Sequence, residues 1–317
     1  MPPNTLTLMV STTPPTATGV RVRVPAKINL ALKVGAPRSD GYHPLATVYQ
    51  AVSLYDEVEA TWADPDEFEV MVSGEGAKQV PLDGSNLAVR AARLLAQLHA
   101  PGDSLGARLS IKKSIPVAGG LAGGSANGAA ALLACAVLWD LEVSPERLRT
   151  LASELGSDVP FALLGGTAVG SGRGEEVAPA LARGTYHWVL AFGHHGLSTA
   201  AVYRRFDQLN PGAAPPKIPA DVMNALRSGD PTLLGAALSN DLEPAALDLQ
   251  PQLRTVLQTG LEYGALGALV SGSGPTCAFL VADESAAVEL SVSLSAEGLC
   301  RAVRRATGPV IGARVIY

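Results

Sequence analysis

The chain is poor in cysteine and lysine, and it lacks the common signatures of nucleotide enzymes. Its 317 residues hold three cysteines, at 135, 277 and 300, far apart and in apolar surroundings. An odd count at such spacing argues against a disulfide framework or a zinc cluster and points to reduced, buried thiols. His194-His195 has no cysteine or carboxylate near it in sequence, so no metal role is assigned to that pair. Only six lysines occur, no basic run reaches five residues, and the net charge is −5. Neither a nucleic-acid partner nor an anionic membrane surface is therefore expected. Nothing matches Gly-x-x-x-x-Gly-Lys-Ser/Thr, the dinucleotide fingerprint or the protein-kinase motifs.

Targeting signals are also wanting. Residues 1–18 carry no Lys or Arg and only Leu6–Val10 as an apolar run, so a disordered tail is expected rather than a signal peptide. Two charge-free stretches, 114–139 and 264–282, are broken by Gly, Ser and Pro. They read as buried core, not as membrane spans. A cytoplasmic protein is the expectation. The sequence specifies no oligomeric state.

What is present suggests a soluble protein with a generous core, 47% hydrophobic and 17% charged. Its length favours two domains. Residues 20–34 alternate apolar and polar, which predicts a strand with Lys27 and Asn29 on one face, opposite the apolar one. Strands are also expected at 48–58, 68–72 and 107–115, and helices at 86–98 and 128–139. A further helix is capped by Ser144 and ends before Gly156. Residues 165–174, with five glycines, read as a loop. From 186 onward strands (about 186–192, 266–270, 276–282 and 310–317) mix with helices (about 218–228, 231–239, 250–263 and 285–297). The mixture lacks regular βαβ units, so the expectation is an α+β chain with domains at 19–182 and 183–317.

Two glycine-rich turns stand out. In Ile115–Asn127, glycines 119, 120, 123 and 124 lie between a strand-like and a helix-like run. Glycine allows close backbone approach, and a helix start offers unpaired N–H groups to an anion. A phosphate cradle and a tight packing turn are both open on this segment alone. The second turn, Ser271–Pro275, reads as a hairpin connection, although two such turns can also converge on one ligand.

Pro-x-x-x-Gly-Leu-x-Gly-Gly-Ser, as it stands in Pro116–Ser125, resembles the central motif of the kinases related to galactokinase, homoserine kinase, mevalonate kinase and phosphomevalonate kinase (the GHMP superfamily). Pro25–Leu30, Arg38–His43, Gly156–Phe161 and Ser271–Pro275 are similar, in order, to its branch that phosphorylates the 2-hydroxyl of 4-diphosphocytidyl-2-C-methyl-D-erythritol. The resemblance implies a two-domain GHMP-kinase fold, ribosomal-protein-S5-domain-2-like then ferredoxin-like. It further implies ATP as phosphoryl donor with Mg²⁺, a cytidyl substrate as acceptor, and a role in making isoprenoid precursors. The alternatives are a kinase of the same fold for another small alcohol, such as homoserine or mevalonate, and a non-catalytic nucleotide binder.

By the same resemblance, Asp158 takes the hydroxyl proton and Lys27 stabilises developing negative charge; by its position alone Asp158 reads first as a helix N-cap. Asn86, Lys113, Pro116, Val117, Ala118, Gly119, Gly120, Leu121, Ala122, Gly123, Gly124 and Ser125 correspond to the ATP site. Asn29, Tyr42, His43, Thr199, Tyr203, Gly272 and Gly274 correspond to the substrate site. Ala118, Ala122 and Ala126 depart from the family pattern, which commonly has two glycines and a serine there. Ser125 is left as the loop's one hydroxyl and the candidate Mg²⁺ or phosphate ligand.

Overall fold

The computed structural model describes residues 19–99 and 105–317; the tail expected over 1–18 lies outside the described residues. Strands β1 (Gly19–Val34) and β2 (Leu45–Trp62) pair antiparallel along their length, with register shifts between Pro25/Ala26 and Asn29/Ala31. β3 (Phe68–Gly74) precedes helix α1 (Leu87–His99), and β4 (Ala107–Lys113) leads into α2 (Gly123–Leu138). α3 (Pro145–Leu155) and α4 (Val159–Leu164) follow, then a hairpin of β5 (Thr167–Ser171) and β6 (Glu176–Pro179). α2 packs on β1 and β2 with α1 alongside. It is apolar on all sides because it lies inside the main core.

The second half begins with β7 (Tyr186–Phe192), α5 (Thr199–Leu209), α6 (Ala220–Ser228) and α7 (Pro231–Ala237). β8 (Ser239–Asn240), α8 (Glu243–Leu249) and α9 (Gln252–Glu262) lead to a hairpin of β9 (Gly267–Val270) and β10 (Cys277–Val281). α10 (Glu284–Ala296), β11 (Ala302–Gly308) and β12 (Arg314–Ile316) complete it. Strands in the order β11-β7-β10-β9, all antiparallel, make the ferredoxin-like sheet. The larger sheet runs β12-β1-β2-β4-β3, with β5 on β2 and β8 on β1.

The fold departs from several of these expectations. α2 starts at Gly123, five residues before the expected start, so the last two glycines of the loop form its first turn. A Cβ on Gly123 would meet Ile115 at 3.0 Å, so the helix start packs against the exit of β4. The expected loop at 165–174 contains β5; Gly170 can lie in that strand because its bare Cα admits the Tyr49 ring. β11 carries too little alternation to be read in advance and forms as an edge strand on β7. α5 and α8 were likewise unforeseen. Two strands from beyond residue 183, β8 and β12, complete the larger sheet, and Tyr186, Trp188 and Val222 share one core with β1. The stretches 114–139 and 264–282 lie in these cores, and among the described residues no helix is long and apolar enough to cross a membrane. Cys135 and Cys277 are buried and unpaired, and burial pushes both thiols up.

Candidate active site

The polar face of β1 forms the floor of a cleft of about 980 Å³. Lys27 is 8% exposed and Asn29 is 2% exposed, because the second glycine turn covers them. A Cβ on Gly272 would sit 3.4 Å from both Lys27 Nζ and Asn29 Oδ1. Lys27 Nζ donates to Asn29 Oδ1 at 2.7 Å, and Asn29 Nδ2 donates to Thr47 Oγ1 at 2.8 Å. Thr47 in turn donates to the Ala31 carbonyl at 2.8 Å. This chain of bonds holds the ammonium in place, 3.7 Å from Asp158 Oδ2.

Asp158 occupies the N-cap position of α4, yet its side chain makes no capping bond. Its carboxylate instead faces Lys27 and Tyr49. Burial, reinforced by that carboxylate, pushes the Tyr49 phenol well above its ordinary value. Thus Tyr49 stays neutral and able to donate. The ring of Tyr49 also lies 5.6 Å from Lys27 Nζ and stacks on Phe161. The position of Asp158 arises from α4, but its side chain turns away from the helix end toward Lys27.

The two glycine turns touch. Ser271 Oγ donates to the Gly120 carbonyl at 3.1 Å, and a Cβ on Gly120 would fall 2.1 Å from the Ser271 carbonyl. Gly120 has φ 76°, so it needs glycine on two counts. Ala118 and Ala122 also adopt positive φ, 52° and 57°, a strained conformation for alanine. From Pro116 to Ser125 every residue but Leu121 lines the cleft. Leu121 is core-buried, and its carbonyl accepts the Lys27 N–H at 3.3 Å, so its expected ATP contact gives way to a structural one. Gly274 is likewise absent from the lining: its α-carbon faces Val270 and Leu197. The first N–H groups of α2 have no partner within the helix, and Gly123, Gly124 and Ser125, which carry them, line the cleft.

At the other end, α5 presents Thr199, Tyr203 and Asp207 at four-residue intervals on one face. Ser198 caps this helix by accepting from Ala201 N. Thr199 Oγ1 lies 2.9 Å from Ser273 Oγ. The Tyr203 ring stands 4.8 Å from His43, whose Nε2 lies 2.8 Å from Asp207 Oδ1. A carboxylate only accepts, so Nε2 is the donor in this pair, and a ring without a second proton has Nδ1 as an acceptor. Burial pushes the Tyr203 phenol up. Tyr42 is 52% exposed, with the Arg173 guanidinium 4.8 Å from its ring centre.

Beneath the first glycine turn lies an unforeseen carboxylate. Asp56 is fully buried and accepts from Lys113 Nζ at 2.5 Å, Ser114 N at 2.7 Å, Ile115 N at 2.8 Å and Asn127 Nδ2 at 2.8 Å. It ties the end of β4 to α2 across the loop. The signal was in the sequence, since Asp56 falls on the inward register of β2 between Leu54 and Val58. Lys113 and Asn86 both border the cleft with their polar ends engaged. Lys113 binds Asp56 and Asn127, while Asn86 caps α1 by accepting from Ala88 N and donates to the Pro81 carbonyl. The adjacent Lys112 is exposed. No cluster of three or more His, Cys, Asp or Glu suited to a metal occurs among the described residues, and His194-His195 is exposed.

Comparison with known proteins fits this geometry. The model for the GHMP kinases N terminal domain matches residues 86–166, and that for GHMP kinases C terminal matches 222–299. A 4-diphosphocytidyl-2-C-methyl-D-erythritol kinase of Mycolicibacterium smegmatis is 54% identical over 95% of this chain and 94% of its own. The protein of that name in Mycobacterium tuberculosis is 53% identical over 94% and 93%. Among solved structures, a 4-(cytidine 5'-diphospho)-2C-methyl-D-erythritol kinase superposes with a TM-score of 0.72 at 33% identity, over 90% of this chain and 98% of that one. A homoserine kinase from Cytophaga hutchinsonii gives 0.74 at 19% identity, over 95% and 98%, which shows a shared fold. The chain belongs to the GHMP kinases, in the family of the 4-diphosphocytidyl-2-C-methyl-D-erythritol kinases.

Proposed function

We propose that this chain transfers the γ-phosphate of ATP to the 2-hydroxyl of 4-diphosphocytidyl-2-C-methyl-D-erythritol, yielding ADP and the 2-phosphate. The observation that carries the proposal is the buried Lys27–Asp158 pair beneath two touching glycine turns, in one cleft with the His43–Tyr203 pocket. Phosphoryl transfer needs alignment, charge neutralisation and an acceptor for the hydroxyl proton. The backbone N–H groups of residues 119, 120 and 122–125 receive the donor's phosphates. Asp158 accepts the hydroxyl proton as the oxygen bonds to the γ-phosphorus and the bond to ADP breaks. Lys27, held by Asn29, stabilises the negative charge on the moving phosphoryl group.

Cytosine offers an amino group where uracil has a carbonyl. The acceptor Nδ1 of His43 suits the former, and Tyr203 supplies a ring for stacking. Asn86 and Lys113 wall the adenine end. Magnesium in such sites takes most of its ligands from phosphates and water, and the Ser125 hydroxyl, the loop's one side-chain oxygen donor lining the cleft, fits that demand. Bound there, the ion would neutralise phosphate charge.

A coupled assay of ADP release against a panel of alcohols tests the proposal. ATP consumption dependent on the cytidyl compound is expected; equal rates with homoserine, mevalonate or bare methylerythritol phosphate would refute the substrate. Measurable ATP affinity without transfer to any acceptor would identify a nucleotide binder.

A further inference from the structure

A cytidyl substrate with its base at His43 and its hydroxyl at Asp158 must lay its diphosphate bridge between the two. That bridge carries the highest charge density of the molecule, and the cleft must answer it. Of the cations lining the cleft, Lys27 is committed to Asn29 and Asp158, and Lys113 is neutralised by Asp56. Arg204 is exposed on α5, with no ion pair or ring contact among the described residues. Arg173 remains.

Arg173 sits in the turn between β5 and β6, which is anchored on both sides of the gap. Leu45 N, two residues beyond His43, donates to the Gly172 carbonyl at 2.8 Å. At the next step, the Tyr49 hydroxyl donates to the Gly174 carbonyl at 3.5 Å, and Gly174 borders Ser157, the neighbour of Asp158. Glu175 fixes the arginine itself, taking its backbone N–H at 2.6 Å and its Nε at 3.3 Å. The guanidinium lies over the Tyr42 ring. Its two terminal nitrogens have no hydrogen-bond partner among the described residues, and the residue lines the cleft. A planar fork stacked on a ring and steadied at Nε, with both ends open, matches the oxygens of a diphosphate.

We infer that Arg173 binds the diphosphate bridge of the acceptor substrate and thereby sets specificity for nucleoside-diphosphate-linked alcohols. Glu175 acts through it as a positioning residue. The inference rests on the proposed function and adds to it a residue that separates this chain's acceptor from a free small alcohol.

The test is a calorimetric titration of the whole chain with cytidine, CMP and CDP, the donor site being filled with ADP. In the unaltered chain CDP should bind more tightly than cytidine. Arg173→Ala should erase about 10- to 100-fold of that advantage, the range for losing charge-assisted hydrogen bonds. Arg173→Lys should restore part of it, and Arg204→Ala should retain it. The KM for the cytidyl substrate should rise in Arg173→Ala while that for ATP stays put. A retained CDP advantage in Arg173→Ala overturns the inference, as does an equal loss of cytidine affinity or a matching rise in the ATP KM. A chain that binds neither cytidine nor CDP and consumes no ATP with the cytidyl substrate refutes the proposed function, and this inference with it.

Discussion

The two ends of the cleft are built differently. At the reaction end, Lys27, Asn29 and Thr47 project from paired strands and bond to one another in a buried chain. At the base end, Tyr42 and Thr199 stand on a turn and a helix start, both exposed, and only His43 is fully enclosed. Groups that stabilise a transition state must be in place before the reaction, because reorganising them during the step would consume the advantage. A recognition surface has no such demand, and its rings can settle as the ligand binds. The reaction end should therefore govern kcat, and the base end KM and choice of base.

The largest effect is expected from Asp158→Asn, which keeps the shape but removes the proton acceptor. It should lower kcat by roughly 10³- to 10⁴-fold with little change in the ATP KM. A fall of less than tenfold would break the contrast by removing Asp158 from the chemistry. Next comes Asp56→Ala, which leaves Lys113 buried without its carboxylate under the first glycine turn. A loss of about 3 kcal/mol in urea unfolding is expected, and a loss below 1 kcal/mol would mean that the loop does not depend on this carboxylate.

At the base end, Asp207→Leu frees the His43 ring to place its proton on either nitrogen. Discrimination between the cytidyl substrate and its uridyl analogue should drop about tenfold in kcat/KM, while unfolding midpoints barely move. Unchanged discrimination would show that the tautomer is not what selects the base. The smallest effect concerns the rim of the loop. Ala118→Gly and Ala122→Gly should each stabilise the fold by up to about 1 kcal/mol, since glycine relieves positive φ but adds freedom to the unfolded chain. Destabilisation in both would show that the methyl groups make contacts worth more than the strain.

Much of the reaction end was legible in the chain. Lys27 and Asn29 were placed on one face by alternation alone, and Ser144, Leu155 and Gly156 marked α3 to the residue. The base end was less so. Asp207 belongs to the site because α5 brings it two turns beyond Thr199, and α5 was not foreseen. Arg173 was hidden in a glycine-rich stretch that reads as a loop until Gly170 is seen beneath Tyr49. Leu121 and Gly274 fell inside the matched motifs yet face the core, since a motif records spacing and not direction.

By itself the sequence determined the elements with strong periodicity, the N-cap of α3, the two glycine turns and, through its motifs, the family. Those features depend on neighbours within a few residues, where period, capping and glycine freedom act. Only the tertiary structure decided that the polar face of β1 is buried, that Gly120 meets Ser271, and that Asp158 turns to Lys27 and leaves α4 uncapped. Each joins residues more than a hundred positions apart, and such contacts are set by packing.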